Sequence, residues 1–308
     1  MGENPGPLVS VVVTTYYRNR MLREAIESAL AQTYEPIELI VVDDSGDGHA
    51  EAVAEAYDGL TYLPLEENRG LASAREAGVR EASGAYVQFL DDDDVLLPSK
   101  VASQVPLFGP GTGVVYCGYE VYETRERVMP RDGRRGDVLD YALQGRIDPA
   151  CTCTLLVERD LIERLLPLDE HNHGAEILGI IIELARLTGF EFVDEPLARV
   201  RRAADHSRFS DHPRLVNGLR RIVRTYADLY ESTDPRNYRY MMARIHRQTA
   251  TGTLSRRVWS PSAVVHAALA AYYTPENRAR NVGLALATLL GRPGVRFGEA
   301  LVGHASGS

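Results

Sequence analysis

Within the first 118 residues, four apolar β-type runs, Leu8 to Thr15, Ile37 to Val42, Leu60 to Leu65 and Tyr86 to Leu90, alternate with segments of helical spacing. The helical segments are Met21 to Gln32, carried by Leu22, Ile26, Ala29 and Leu30, then about His49 to Tyr57, then Leu71 to Ala82. Apolar residues recurring at three and four positions read as one face of a helix, and short apolar runs between turn residues read as buried strands. Strict alternation of the two predicts an α/β fold with a mostly parallel sheet flanked by helices. Polar clusters follow the strands, at Thr14 to Arg20, Asp43 to Asp47, Asn68 to Arg75 and Asp91 to Asp94. In an open parallel sheet the carboxyl ends of the strands form the ligand crevice, so one site built from four separated segments is the economical reading.

Asp91 to Asp94 is the most demanding of the four. Four adjacent carboxylates repel one another unless a cation or a hydrogen-bond network compensates them. Their oxygens suit Mg²⁺ or Mn²⁺, and such an ion held by one or two carboxylates commonly completes its shell with substrate phosphates. The other segments also have plainer readings. Asp43 and Asp44 before Ser-Gly can be a solvated turn, Arg18 and Arg20 an exposed helix entrance, and Asn68 a helix cap.

The 308 residues are 44% hydrophobic, enough for one large or two modest globular domains. A net charge of −9 argues against nonspecific nucleic-acid binding, and Lys100 is the only lysine beside 33 arginines. Cys117, Cys151 and Cys153 are odd in number and lack a paired metal spacing, so reduced thiols are expected. The first residues do not resemble a signal peptide, and a soluble, cytoplasmic protein is expected.

Taken together, Val9-Ser-Val-Val-Val-Thr-Thr-Tyr, Ala29-Leu-Ala-Gln-Thr-Tyr, Glu38-Leu-Ile-Val-Val-Asp-Asp-Ser, Asn68-Arg-Gly-Leu-Ala-Ser-Ala-Arg and Gly84-Ala-Tyr-Val-Gln-Phe-Leu-Asp-Asp-Asp-Asp resemble the family-2 glycosyltransferases. These are inverting enzymes with a GT-A fold. Order and spacing agree over roughly the first hundred residues, which is far more specific than any single motif. The resemblance implies that Thr14 and Tyr16 line a nucleoside pocket, that Asp44, helped by Asp43, accepts a hydrogen bond from the base, and that Arg75 faces the nucleotide. It further implies Asp93 and Asp91 as ligands of Mn²⁺ or Mg²⁺, with Asp91 or Asp92 near the ribose or donor sugar. Tyr17 and Glu76 stand where the family often carries asparagine.

Inverting transfer also needs a carboxylate to take the acceptor's proton. The segment from Pro167 through Glu176, with Gly189 to Ala198 after the next helix, resembles the family's acceptor side. The usual Glu-Asp pair would fall at Glu176 and Ile177. Ile177, Ile180, Ile181 and Leu184 have core-facing helical spacing, and Glu176 lies about 100° around the helix from Ile177, turned toward the cleft. Glu176 is therefore the candidate base, with Asp169, Glu170, His171 and His173 as fallbacks and a solvent-facing helix start as the plain alternative. Arg199, Arg201, Arg202, His206 and Arg208 resemble the family's basic loop over the diphosphate, since arginine forks pair with phosphate.

The resulting division is a nucleotide-sugar half at 1–118, an acceptor half at 119–212 and a helical appendage at 213–308. In the appendage, Leu219, Ile222, Val223, Tyr226, Leu229 and Tyr230 form an apolar stripe. Ala263 to Tyr273 and Val282 to Leu290 are too short to span a bilayer and read as packing helices, with peripheral membrane contact as the alternative. The expected activity is transfer of a sugar from a UDP- or GDP-linked donor to a hydroxyl of a glycan or lipid-linked acceptor, at the cytoplasmic face of a membrane. A nucleotide-sugar-binding protein with impaired catalysis is the alternative. A phospho-accepting regulator rests only on Asp43 and Asp44 after an apolar strand.

Overall fold

The computed structural model describes residues 6–168, 175–202, 212–276 and 278–295. These group into two compact units, one drawn from 1–142, 147–170 and 176–207 and the other from 143–146, 171–175 and 208–308.

In the first unit, β1 (Val9–Thr15), β2 (Ile37–Asp43), β3 (Leu60–Pro64) and β4 (Tyr86–Asp91) form the parallel part of a mixed sheet. Between them run α1 (Asn19–Leu30), α2 (Glu51–Ala54) and α3 (Leu71–Glu81). All seven residues of β1 are buried, which is why its run of valines does not alternate: helices cover both faces. α3 rests on this sheet at Gly78, where an added Cβ would collide with the Val12 and Val42 side chains. The helix read over His49 to Tyr57 is only α2: Gly48 before it adopts positive φ, and after Ala54 the chain tightens into turns in which the Ala56 and Tyr57 amides bond to Val53 O and Ala54 O.

The sheet continues through β5 (Val95–Leu96), α4 (Lys100–Gln104), β6 (Thr112–Val121), β7 (Arg127–Val128), α5 (Leu139–Leu143), β8 (Leu156–Glu158), α6 (Arg159–Glu163), α7 (Glu176–Leu187) and β9 (Gly189–Val200). Strand order is β3-β2-β1-β4-β8-β6-β9-β5, with β7 on β6. β8 runs antiparallel to both β4 and β6, so the sheet reverses direction beside the Asp91 strand. The α/β architecture agrees with the sequence reading.

Lys100, the first residue of α4, is wholly buried. Its ammonium donates to Gln88 Oε1 and, at 2.6 Å, to Gln104 Oε1, and burial lowers its pKa. Gln104 Nε2 donates to Val115 O at 2.8 Å and Thr154 O at 3.0 Å, and Gln88 Nε2 to Cys153 O at 3.2 Å. One buried amine therefore ties β4 and β6 to the Cys151–Thr154 turn.

The second unit contains α8 (His212–Thr225), α9 (Ala227–Ser232), α10 (Pro235–Arg256), α11 (Pro261–Tyr273), α12 (Arg278–Ala287) and a 3-10 turn at Thr288–Leu290. Leu219, Ile222, Tyr226 and Tyr230 are buried as their spacing predicts, while Val223 and Leu229 are half-buried. No helix among the described residues is long and apolar enough to cross a membrane.

Candidate active site

The four polar segments meet at the carboxyl ends of β1, β2 and β4. Parallel register sets Thr14 beside Asp91 and Thr15 beside Asp43. Thr15 Oγ1 donates to Asp92 Oδ2 at 2.8 Å, and the Tyr16 amide reaches the same oxygen at 3.3 Å. Arg18 Nη1 bridges Asp92 Oδ1 at 3.0 Å and Asp93 Oδ2 at 2.7 Å. Arg20 is exposed. Tyr17 takes a positive φ of 55°, which turns the chain sharply after β1 and brings its hydroxyl to Asp47 Oδ2 at 2.8 Å.

Asp43 and Asp44 have distinct local tasks. The Asp43 carboxylate accepts the Ser45 amide at 3.0 Å, the Ala50 amide at 2.8 Å and the Tyr62 hydroxyl at 2.8 Å, so it shapes the β2–α2 turn. Asp44 accepts the amides of Arg69 at 2.7 Å and Gly70 at 2.9 Å. It thereby holds the entrance to α3, where Gly70 adopts φ 85°.

Arg75, buried on α3, donates from Nη2 to Asp91 Oδ1 at 2.8 Å and to Thr152 Oγ1 at 3.1 Å. Its Nε and the Thr14 Oγ1 are buried with no hydrogen-bond partner among the described residues. Buried polar atoms are ordinarily satisfied, so these two are exceptions. Glu76, at the second departure from the family pattern, pairs instead with Arg80 at 2.7 Å.

The aspartate quartet is short of positive charge. Burial pushes the Asp92 carboxyl up to about 6 against the pull of Arg18 and the Thr15 hydrogen bond. Burial and then the Asp91 charge raise Asp93, and burial followed by Asp91 and Asp93 drives Asp94 well up. Asp94 Oδ1 accepts the Arg201 amide at 3.2 Å, and Arg201 Nε donates to Asp93 O at 3.0 Å. The Arg201 guanidinium itself pairs with Glu24 on α1 and lies 3.8 Å from the Tyr122 ring centroid. Arg199 pairs with Glu120 at 3.4 Å, and Arg202 donates to the Tyr119 hydroxyl at 2.8 Å. His206 and Arg208 lie outside the described residues, as do Asp169, Glu170, His171 and His173.

A divalent cation fits this donor set. Arg18 pairs with Asp92 and Asp93 and Arg75 with Asp91, so two positive charges face four carboxylates; the upward shifts of Asp92, Asp93 and Asp94 come chiefly from burial, with neighbouring carboxylates adding to it. Asp91 and Asp93 are the more open pair, with side chains 29% and 16% exposed against 5% for Asp92. No group of three or more His, Cys, Asp or Glu among the described residues is arranged to hold a metal by itself.

Glu176 opens α7 and is half-buried. The buried face of α7 is Leu178, Ile181, Ile182 and Ala185, joined by Gly179 and Leu184. This corrects the sequence reading: Ile177 and Ile180 are only half-buried, so Ile177 shares the more open side with Glu176. The helix is so apolar that two overlapping stripes are legible in it, and the packing partners choose between them.

Sequence reasoning missed Thr152 as the second partner of Arg75 and Glu24 as the partner of Arg201. No local signal marks either, since 77 and 177 positions separate the paired residues.

The chain matches the family described as Glycosyl transferase family 2 over residues 10–166, just over half its length. It belongs to that family. An uncharacterised glycosyltransferase of Rickettsia prowazekii is 32% identical over 204 residues, 63% of this chain and 64% of the relative. A Rickettsia typhi counterpart is 31% identical over the same length, so the chain spans 64% of the length of these curated relatives. Among solved structures, a mannosyltransferase from Pyrobaculum calidifontis in complex with GDP-Man and Mn²⁺ superposes with a TM-score of 0.58 at 22% identity, covering 98% of this chain and 86% of that one. Residues 1–349 of TarS from Staphylococcus aureus with UDP-GlcNAc superpose with a TM-score of 0.62 at 16% identity, covering 96% of this chain and 92% of that one. These likenesses establish that the family-2 chain has the GT-A fold.

Proposed function

We propose that this family-2 chain is an inverting glycosyltransferase that moves a sugar from a UDP- or GDP-linked donor to an acceptor hydroxyl on a glycan or a lipid-linked glycan. The observation that carries the proposal is the convergence of Thr14, Asp44, Arg75 and the Asp91–Asp94 carboxylates at the carboxyl ends of β1, β2 and β4 in a chain of this family. The complexes of the two structural neighbours with GDP-Man and UDP-GlcNAc support a nucleotide sugar as donor.

In this reading Thr14 and Tyr16 border the nucleoside, and Asp44 reaches the base from the β2 end. Tyr16 is half-exposed at the rim, suited to stack on a planar ring. Arg75 holds Asp91 in place and faces the nucleotide. Asp93 and Asp91 would hold Mn²⁺ or Mg²⁺, which when bound supplies positive charge to the diphosphate leaving group. Glu176 serves as the base. As the acceptor oxygen bonds to the anomeric carbon, its proton passes to the Glu176 carboxylate and the electron pair of the breaking C–O bond leaves with the diphosphate. Attack opposite the departing group inverts the anomeric centre.

Ile177 on the open side of α7, in the second place of the family's acidic pair, favours a second reading: a donor-binding chain with impaired catalysis. Glu176→Gln separates the two. Loss of about 10²-fold or more in turnover with nucleotide affinity unchanged supports Glu176 as base. Donor binding without product on any acceptor supports the impaired chain, and unchanged turnover removes Glu176 from the mechanism.

A further inference from the structure

The sequence leads one to expect α11 and α12 to be packing helices, yet one side of them is bare. Val282, Leu286, Leu289 and Leu290 recur at four, three and one positions along α12 and the 3-10 turn, and their exposures are 48%, 59%, 54% and 75%. Beside them, the end of α10 and the loop to α11 carry Arg256, Arg257, Val258 and Trp259, all exposed. The two pieces are stitched together: Trp259 Nε1 donates to Leu289 O at 3.0 Å, and the Arg292 amide to Val258 O at 2.8 Å. Arg292 also anchors from Nε to Leu254 O at 2.7 Å. Six large apolar side chains and two arginines thus share one surface within the second unit.

Charge selects the occupant. Residues 213–308 hold 14 arginines and 5 acidic residues, net +9, in a chain whose total is −9. From 235 to 295 there are 9 arginines against the single acidic residue Glu276. Glu276 faces Arg146 at 3.7 Å. A second copy of the same surface would bring arginines against arginines. An anionic bilayer offers apolar depth for the leucines, phosphate for the arginines and an interfacial level for the indole.

We propose that this surface, centred on Trp259, Leu286 and Leu289, is a peripheral docking site for anionic membranes. The helices lie on the bilayer rather than cross it, with the arginines at headgroup level. The inference is independent of the transfer reading, because docking requires neither donor nor acceptor.

Trp259 is the only tryptophan, so its emission reports on this surface alone. The full chain is mixed with vesicles of phosphatidylcholine, with or without one third phosphatidylglycerol, and floated on a density gradient at low and high salt. Flotation and a blue shift of Trp259 emission are expected with the anionic vesicles only, weakening several-fold at high salt. Leu286→Glu/Leu289→Glu should weaken binding by about tenfold or more, and Arg256→Gln/Arg257→Gln by several-fold, with nucleotide binding unchanged in both. The arginine pair keeps the test valid if the leucine variant folds poorly. Failure to float on anionic vesicles, or flotation indifferent to both variants, overturns the proposal. So does sedimentation as a dimer that the leucine variant dissociates, which would assign the surface to a second copy.

Discussion

Arg18 Nη1 sits 3.0 Å from Asp92 Oδ1 and 2.7 Å from Asp93 Oδ2, so one guanidinium from the β1–α1 turn serves two adjacent carboxylates at the end of β4. This is the point at which the first and last of the four polar segments are locked together. Replacing Arg18 by Met leaves Asp92, already shifted upward by burial, without its main counter-charge. The Arg18 side chain is itself partly exposed, so the loss of unfolding free energy is expected near 1–3 kcal/mol, read from denaturant melts. Unchanged stability would mean the pair contributes nothing net.

Asp93→Asn should abolish metal-dependent turnover and weaken Mn²⁺-dependent binding of UDP or GDP by about tenfold or more, measured by calorimetry with and without the ion. Nucleotide binding that is equally tight with and without Mn²⁺ in the wild-type chain would remove the ion from the site.

Thr152→Val deletes one of the two acceptors of Arg75 Nη2 while keeping the side chain's volume. A loss of about 1 kcal/mol in stability is expected, because a buried donor loses a neutral partner, together with weaker nucleotide affinity as Asp91 and Arg75 loosen. If affinity is unchanged, Asp91 alone positions Arg75.

His246 on α10 and His266 on α11 hydrogen-bond through their Nδ1 atoms at 2.8 Å, with Tyr273 stacked on His246. Burial lowers both pKa values, helped for His246 by His266 and for both by Arg220. A histidine whose folded pKa lies below its unfolded value near 6.5 contributes stability that is full above that value and is lost as pH falls toward the folded pKa. The unfolded chain takes up the proton first. Unfolding free energy should therefore drop more steeply below pH 6.5 in the wild type than in His246→Phe/His266→Phe. The comparison cancels the contribution of Asp92, which has the opposite sign because its folded pKa is raised. Parallel curves would show that the pair does not titrate with folding.

Much of the site was legible because its parts are local. Val9 to Thr15 is a valine-rich run that can only be a buried strand, Gly70 and Asn68 mark the entrance to α3, and Asp91 to Asp94 follow β4 directly. α/β connectivity then requires the ends of β1, β2 and β4 to converge. The sequence by itself thus determined the elements, their order and the polar segments at the strand ends, since each depends on spacing within a dozen residues. Only the tertiary structure decided which distant groups touch. It set Thr152 against Arg75, Glu24 against Arg201 and Lys100 between Gln88 and Gln104. It also chose which stripe of α7 is buried and left Leu286 and Leu289 bare. Helical periodicity defines an apolar face, but whether that face meets a core or solvent depends on what packs against it.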